Sequence, residues 1–214
     1  MFKKTFLLLA LSSGAFAATA HQLWVERDGN GVARVYVGDV DGQADTGAEV
    51  QQIAATTQLF QADPAQPLSL AVHDDHLSAR PTGKGDIRVS NDAVWKPWTG
   101  KDGVTKLAVF NARAGRSEPR SVLPYEFVPV KAGSNTFTLD FRGRPVAGRQ
   151  VTVVNPGKWS KQLKTDARGR VEVPVGGKGR YVLIAAHTAD EARTVGDQQV
   201  AKVDYTATLS FVVR

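Results

Sequence analysis

The chain has 214 residues, no cysteine, four histidines and a formal net charge of +6. Without cysteine, its stability rests on burial alone, and neither disulfides nor thiolate metal ligands are available. The positive excess is scattered and forms no Lys/Arg block interleaved with aromatics, which argues against nucleic-acid binding.

The chain opens with Met1-Phe2-Lys3-Lys4, an apolar run from Phe6 to Leu11, and small residues through Ala20. This charged, apolar, small-residue order reads as a cleavable secretory signal over residues 1–20. Ser12-Ser13-Gly14 interrupt the run well short of the roughly 20 apolar residues that a membrane span needs, so no transmembrane segment is expected in the mature chain. Two cleavage points satisfy the small-x-small rule, after Ala17 and after Ala20, and the second leaves His21 as the first mature residue. Removing twenty residues leaves 194, and losing Lys3 and Lys4 takes the net charge to +4.

In the first half of the mature chain, 23–26, 32–37, 68–72, 86–89 and 106–110 read as strands, and 48–55 as one short helix. The stretch 75–103, rich in Pro, Gly and Asp, reads as a long loop pinned by Trp95 and Trp98. A polar stretch over 113–118 leads to a boundary placed near Pro119 to Pro124. Beyond it, the alternation at 136–141 and 203–213, with shorter runs at 150–154, 170–173 and 181–186, predicts half-buried strands. Arg142-Gly143-Arg144-Pro145, Asn155-Pro156-Gly157 and Gly176-Gly177-Lys178-Gly179 supply the turns between them. The expected fold class is all-β, with two packed β-sandwich modules over 21–123 and 124–214.

Nucleophilic catalysis finds little support, because there is no Cys, no Gly-x-Ser-x-Gly elbow and no phosphate-cradling glycine loop before a helix. The histidines His21, His73, His76 and His187 are the side chains suited to a borderline metal. If cleavage follows Ala20, His21 offers its α-amine and ring Nδ1 as a chelate, and the amine titrates at about 7.7–8.0, low enough for a metal to displace its proton. One more imidazole would complete a three-nitrogen site suited to Cu(II) or Ni(II). If cleavage follows Ala17, His21 is an ordinary residue near the chain end. His187 closes the predicted strand 181–186, where Asp190 and Glu191 could orient its ring or add an oxygen ligand. His73-Asp74-Asp75-His76 could chelate one ion only if the segment curls into a turn, since strand positions three apart face opposite sides. Trp24 reads as a core residue, and Trp95, Trp98 and Trp159 read as packing residues.

The opening His21-Gln22-Leu23-Trp24-Val25-Glu26 resembles the Ala-His-x-x-Trp-x-Glu start of a bacterial periplasmic family described as a domain of unknown function and, in places, as a nickel-uptake component. Tyr125-Glu126-Phe127-Val128-Pro129-Val130, Gly143-Arg144-Pro145-Val146-Ala147-Gly148, Thr165-Asp166-Ala167-Arg168-Gly169-Arg170, Ala186-His187 and Ala207-Thr208-Leu209-Ser210-Phe211 follow in that family's order. The resemblance implies that the second module is transthyretin-like or immunoglobulin-like, and it covers His21, Trp24, Glu26 and His187 but neither His73 nor His76. It implies a non-enzymatic periplasmic protein that binds and delivers nickel, cobalt or copper. His21 and His187 would hold the metal, with His73 or His76 contributing and Glu26, Asp190 and Glu191 around it. An inner-membrane metal transporter is the expected partner. Two other readings stay open. One is a structural or adhesive β-sandwich that binds protein or glycan without metal, and the other is a copper-dependent oxidase built on the same terminal histidine.

Overall fold

The computed structural model describes residues 21–214, so the expected signal peptide and both of its cleavage points lie outside the described residues. Along the chain run β1 (Gln22–Arg27), β2 (Ala33–Gly38), α1 (Ala48–Ala54), β3 (Gln58–Phe60), β4 (Ala71–Val72), β5 (Leu77–Ala79) and β6 (Ile87–Asn91). They are followed by β7 (Trp98–Thr99), β8 (Thr105–Ala114), β9 (Tyr125–Pro129), β10 (Thr136–Phe141), β11 (Arg144–Pro145) and β12 (Gln150–Val154). The chain ends with β13 (Ser160–Lys164), β14 (Arg170–Glu172), β15 (Gly179–Val195) and β16 (Gln198–Val213). The fold is all-β, as the alternating patterns predict, and no helix among the described residues is long and apolar enough to cross a membrane.

The strands form three layers. A central sheet runs β13-β12-β15-β16-β8-β6-β3, with β7 added on β8. A small sheet β1-β2-β5-β4 covers one face at one end, and β9, β10, β11 and β14 cover the opposite face at the other end. The chain crosses the expected boundary between β8 and β9, yet the central sheet continues across it, because β16 pairs in parallel with β8 from Lys202↔Lys106 to Ser210↔Ala114.

Strand β8 shows how one sequence serves both layers. Leu107 and Val109 point into a core with Tyr125, Phe127, Phe137, Leu139 and Phe211, while Ala108, Phe110, Ala112 and Ala114 point into a second core with Leu23, Val25, Val35 and Leu77. A strand buried on both sides carries apolar residues at nearly every position, so period two is hidden and its length is hard to read. The predicted strand at 106–110 accordingly runs on to Ala114, and Arg113, expected in a polar linker, lies buried inside it. Helix α1 forms where predicted and turns Val50 and Ile53 into the second core.

Arg113 and Arg88 of β6 are both 0% exposed, and each must therefore meet an anion inside the protein. Glu126 of β9 accepts from both, from Arg88 Nε at 2.8 Å and from Arg113 Nη1 at 2.9 Å. Its second oxygen accepts the backbone N–H groups of Val122 and Leu123. Asp86 takes the far side of Arg113 and also accepts from Ser117, and Glu118 takes Arg88 Nη1 at 2.9 Å. The connecting segment 115–124 is thus folded down over two buried cations. Gly115 permits this approach: its φ is 107°, and a Cβ there would sit 2.3 Å from Asp86 Oδ1.

Burial alone would raise the Asp86 carboxyl, but the Arg113 charge and the Ser117 hydrogen bonds outweigh it and hold the group below the usual carboxylate range. Its stabilising contribution is therefore complete above about pH 4, the ordinary Asp value, and is lost as pH falls below it. Replacing Glu126 by Gln keeps the shape and removes the anion shared by two buried guanidinium groups. The expected loss is about 3–5 kcal/mol, the usual cost of breaking a buried pair. Urea unfolding of wild type and Glu126→Gln measures it, and a difference below about 1 kcal/mol, the range of exposed pairs, would contradict the assignment.

Candidate functional site

The four histidines fall in three separate places. His21 lies at the entry to β1, exposed, with its Nε2 3.3 Å from Asp45 Oδ1. The two residues share a recess of about 140 Å³ with Glu49, Gln52, Val94 and Trp95. Asp45 is fixed from behind by a hydrogen bond from its backbone N–H to the carbonyl of Val37 at 2.8 Å. A carboxylate this close to Nε2 favours a proton on that nitrogen, the tautomer whose lone pair is on Nδ1, the nitrogen nearer the residue's own backbone nitrogen. Asp45 escapes sequence reasoning because nothing in the spacing of 21 and 45 links them; the pairing of β1 with β2, where Gln22 faces Gly38, brings them together.

Strand β1 is held to the central sheet through its outer edge. The carbonyls of Leu23 and Val25 accept from the hydroxyls of Thr208 and Ser210 on β16. Trp24 is buried against Val40, Val154 and Val182, stacks on Tyr36 at 5.2 Å, and donates Nε1–H to Glu26 Oε1 at 2.8 Å. Glu26 is also paired with Arg180. Glu26 therefore serves β1 and β15. It stands five strand positions from His21, roughly 17 Å at the usual rise per residue, too far to orient that imidazole.

His187 faces the other way. It lies within β15, opposite Tyr205, and not at a strand end as predicted, because β15 runs on to Val195. Its ring meets Phe141 at 4.6 Å and Tyr125 at 5.6 Å, on the face of the central sheet that carries Ala185, Ala207 and Leu209. Thr208 and Ser210, which reach β1, point from the opposite face. His21 and His187 are thus on opposite sides of one sheet, and the shared site expected from the sequence does not form. Asp190 pairs with Lys202, and Glu191 bonds Arg142, Arg193 and the Tyr205 hydroxyl, so neither acid orients His187. That role falls to Arg149, whose Nη2 lies 3.0 Å from His187 Nδ1.

His73 and His76 do sit on a turn, closed by a hydrogen bond from the His73 N–H to the His76 carbonyl at 2.9 Å. Their rings stack at 4.4 Å on the outer face of the β1-β2-β5-β4 sheet, beside Tyr36. His73 Nε2 is 2.8 Å from Ser78 Oγ, and His76 Nδ1 is 2.6 Å from Asp75 Oδ1, the contact that lowers the Asp75 carboxyl. Arg34 and Arg80 line the same cavity and oppose a cation there. Among the described residues, no group of three or more His, Asp or Glu side chains is placed to hold a metal ion. Trp159, read as a packing residue, is 79% exposed at the turn between β12 and β13.

Burial, and then the Arg149 charge, push the His187 imidazole below its ordinary value. The unfolded chain takes up a proton near pH 6.5 that the folded chain refuses. This contribution to stability is complete above that pH and falls away as the pH drops towards the lower folded value. Imidazole NMR titration is expected to place the His187 midpoint below about 6.5, the unperturbed value; a midpoint at or above that value would contradict the burial of the ring beside Arg149.

Comparison of the chain with family models, with curated proteins and with solved structures finds no match in any of the three.

Proposed function

We propose that the chain is exported to the periplasm, is cleaved after Ala20, and binds a divalent transition metal (copper, nickel or cobalt) through the α-amine and ring Nδ1 of His21. The observation that carries this reading is the contact between His21 Nε2 and Asp45 Oδ1, which leaves Nδ1 available for the chelate. The residues fit a two-nitrogen chelate at the rim of a recess where Glu49 and Gln52 offer oxygen donors. They do not fit a centre shared with His187, so the proposed site is smaller than the three-nitrogen arrangement and leaves coordination positions open to solvent or to a receiving protein. Such a site suits capture and release in uptake or homeostasis without catalysis, with an inner-membrane metal transporter as the receiver. The resemblance of residues 21–26 to the periplasmic nickel-associated family supports the same reading.

The test is calorimetric titration of the mature protein with Cu(II), Ni(II) and Co(II), after intact mass has fixed its first residue. One ion is expected to bind per chain. Affinity should fall as the pH drops through the amine and imidazole range, because protons compete for both nitrogens. His21→Ala and a chain bearing Ala18-Thr19-Ala20 ahead of His21 are expected to lose the site, and Asp45→Asn to weaken it about 10- to 100-fold. Unchanged binding by the extended chain, with loss in His73→Ala or His76→Ala, would move the site to the 73–76 turn. No binding by the mature wild type would favour the structural or adhesive module.

A further inference from the structure

A second cavity, of about 860 Å³, opens at the other end of β1, where the turn after Arg27, the 83–85 loop, the start of the 115–124 segment and the end of β16 meet. Three acids line it, and each is engaged elsewhere. Glu26 pairs with Arg180, Asp28 with Arg34 and its own turn, and Asp86 with Arg113. Five cations line it too: Arg180 is taken by Glu26, and among the described residues Arg27, Lys84, Arg116 and Arg214 form no ion pair with a carboxylate. Arg116 is partly buried, its guanidinium 4.7 Å over the Phe211 ring and its Nη1 held by Asn135 Oδ1. Burial lowers its pKa, and no acid acts in the other direction. Arg27 donates to the carbonyls of Gly83 and Gly85, which fixes the loop that presents Lys84 at the rim.

A guanidinium withdrawn from water without an anion is unfavourable, and one already held by stacking and by an amide loses little further freedom when an anion arrives. We propose that this cavity binds a small anion through phosphate or carboxylate oxygens, with Arg116 as the oriented guanidinium on the wall and Lys84 and Arg27 as the charges at the mouth. Guanidinium and ammonium groups recognise both kinds of oxygen by charge-assisted hydrogen bonds. The cavity is lined by none of the four histidines and uses no residue of the proposed metal chelate.

The test is isothermal titration of the full mature protein, freed of metal by passage over chelating resin, at low ionic strength, using inorganic phosphate, citrate and, as a neutral control, glycerol. Saturable binding of phosphate or of citrate is expected, with no heat from glycerol, and the stronger of the two anions identifies the source. Arg116→Gln, which keeps a group able to meet Asn135, is expected to weaken that binding at least tenfold, and Lys84→Gln severalfold, while His21→Ala leaves it unchanged. Melting temperatures without anion report whether each variant is folded; should Arg116→Gln fail to fold, Lys84→Gln, changed at an exposed side chain, decides. No saturable binding of either anion, or equal affinity in wild type and the folded cavity variants, overturns the proposal.

Discussion

Two guanidinium groups sealed from water set the terms for the rest of this molecule. Arg88 and Arg113 project from neighbouring strands into an interior where an uncompensated charge is prohibitively costly, so the chain must bring acids to them. Asp86 comes from the residue just before β6, Glu118 from the connecting segment, and Glu126 from β9. The segment 115–124 is therefore neither a loose linker nor a hinge. It is the cover of a buried ionic network, and it delivers β9 to the central sheet with Tyr125 N–H bonded to Asn111 Oδ1. Once β9 is placed, β10 and β14 follow by pairing, and β16 returns beside β8.

The position of the histidines is a consequence of that assembly. Because β16 presents Thr208 and Ser210 to one side and Ala207, Leu209 and Phe211 to the other, β1 can dock only on the hydroxyl-bearing face. His21 goes with it, and His187 stays with the aromatic core beneath β9 and β10. Burial and the adjacent Arg149 favour the uncharged ring, so His187 serves packing and orientation beside Phe141 and Tyr125. The Trp24, Glu26 and Arg180 group ties β1 to β15. Trp24 and Glu26 of the opening motif thereby have structural roles, and His21 stands exposed at the end of β1 beside Asp45.

The strands most legible in the sequence are those with one wet face, such as 136–141 and the end of β16, where polar and apolar residues alternate. The doubly buried β8 and the short strands β3 and β13 carry no such alternation, and Arg113 within β8 reads as a polar linker residue until its partners are known. The apolar run stops at Ala186, which makes His187 read as a strand end. The hairpin of β15 and β16 continues beyond it as a polar ribbon whose pairing the residue types do not announce. Of the candidate site, the sequence singles out His21 only through the expected cleavage after Ala20, and it gives no sign of Asp45, whose proximity comes from the β1–β2 register. The ionic network was hidden for the same reason, since Arg88 and Glu126 are brought together across 38 residues by tertiary pairing.

If a shared sheet and a buried ionic network bind the two halves, residues 21–123 and 124–214 unfold together. Differential scanning calorimetry of the protein measures this most directly. One endotherm is expected, with a calorimetric enthalpy equal to the van't Hoff enthalpy, the signature of a single cooperative unit. Two resolved transitions, or a calorimetric enthalpy well above the van't Hoff value, would show that the halves melt separately and that the network does not join them.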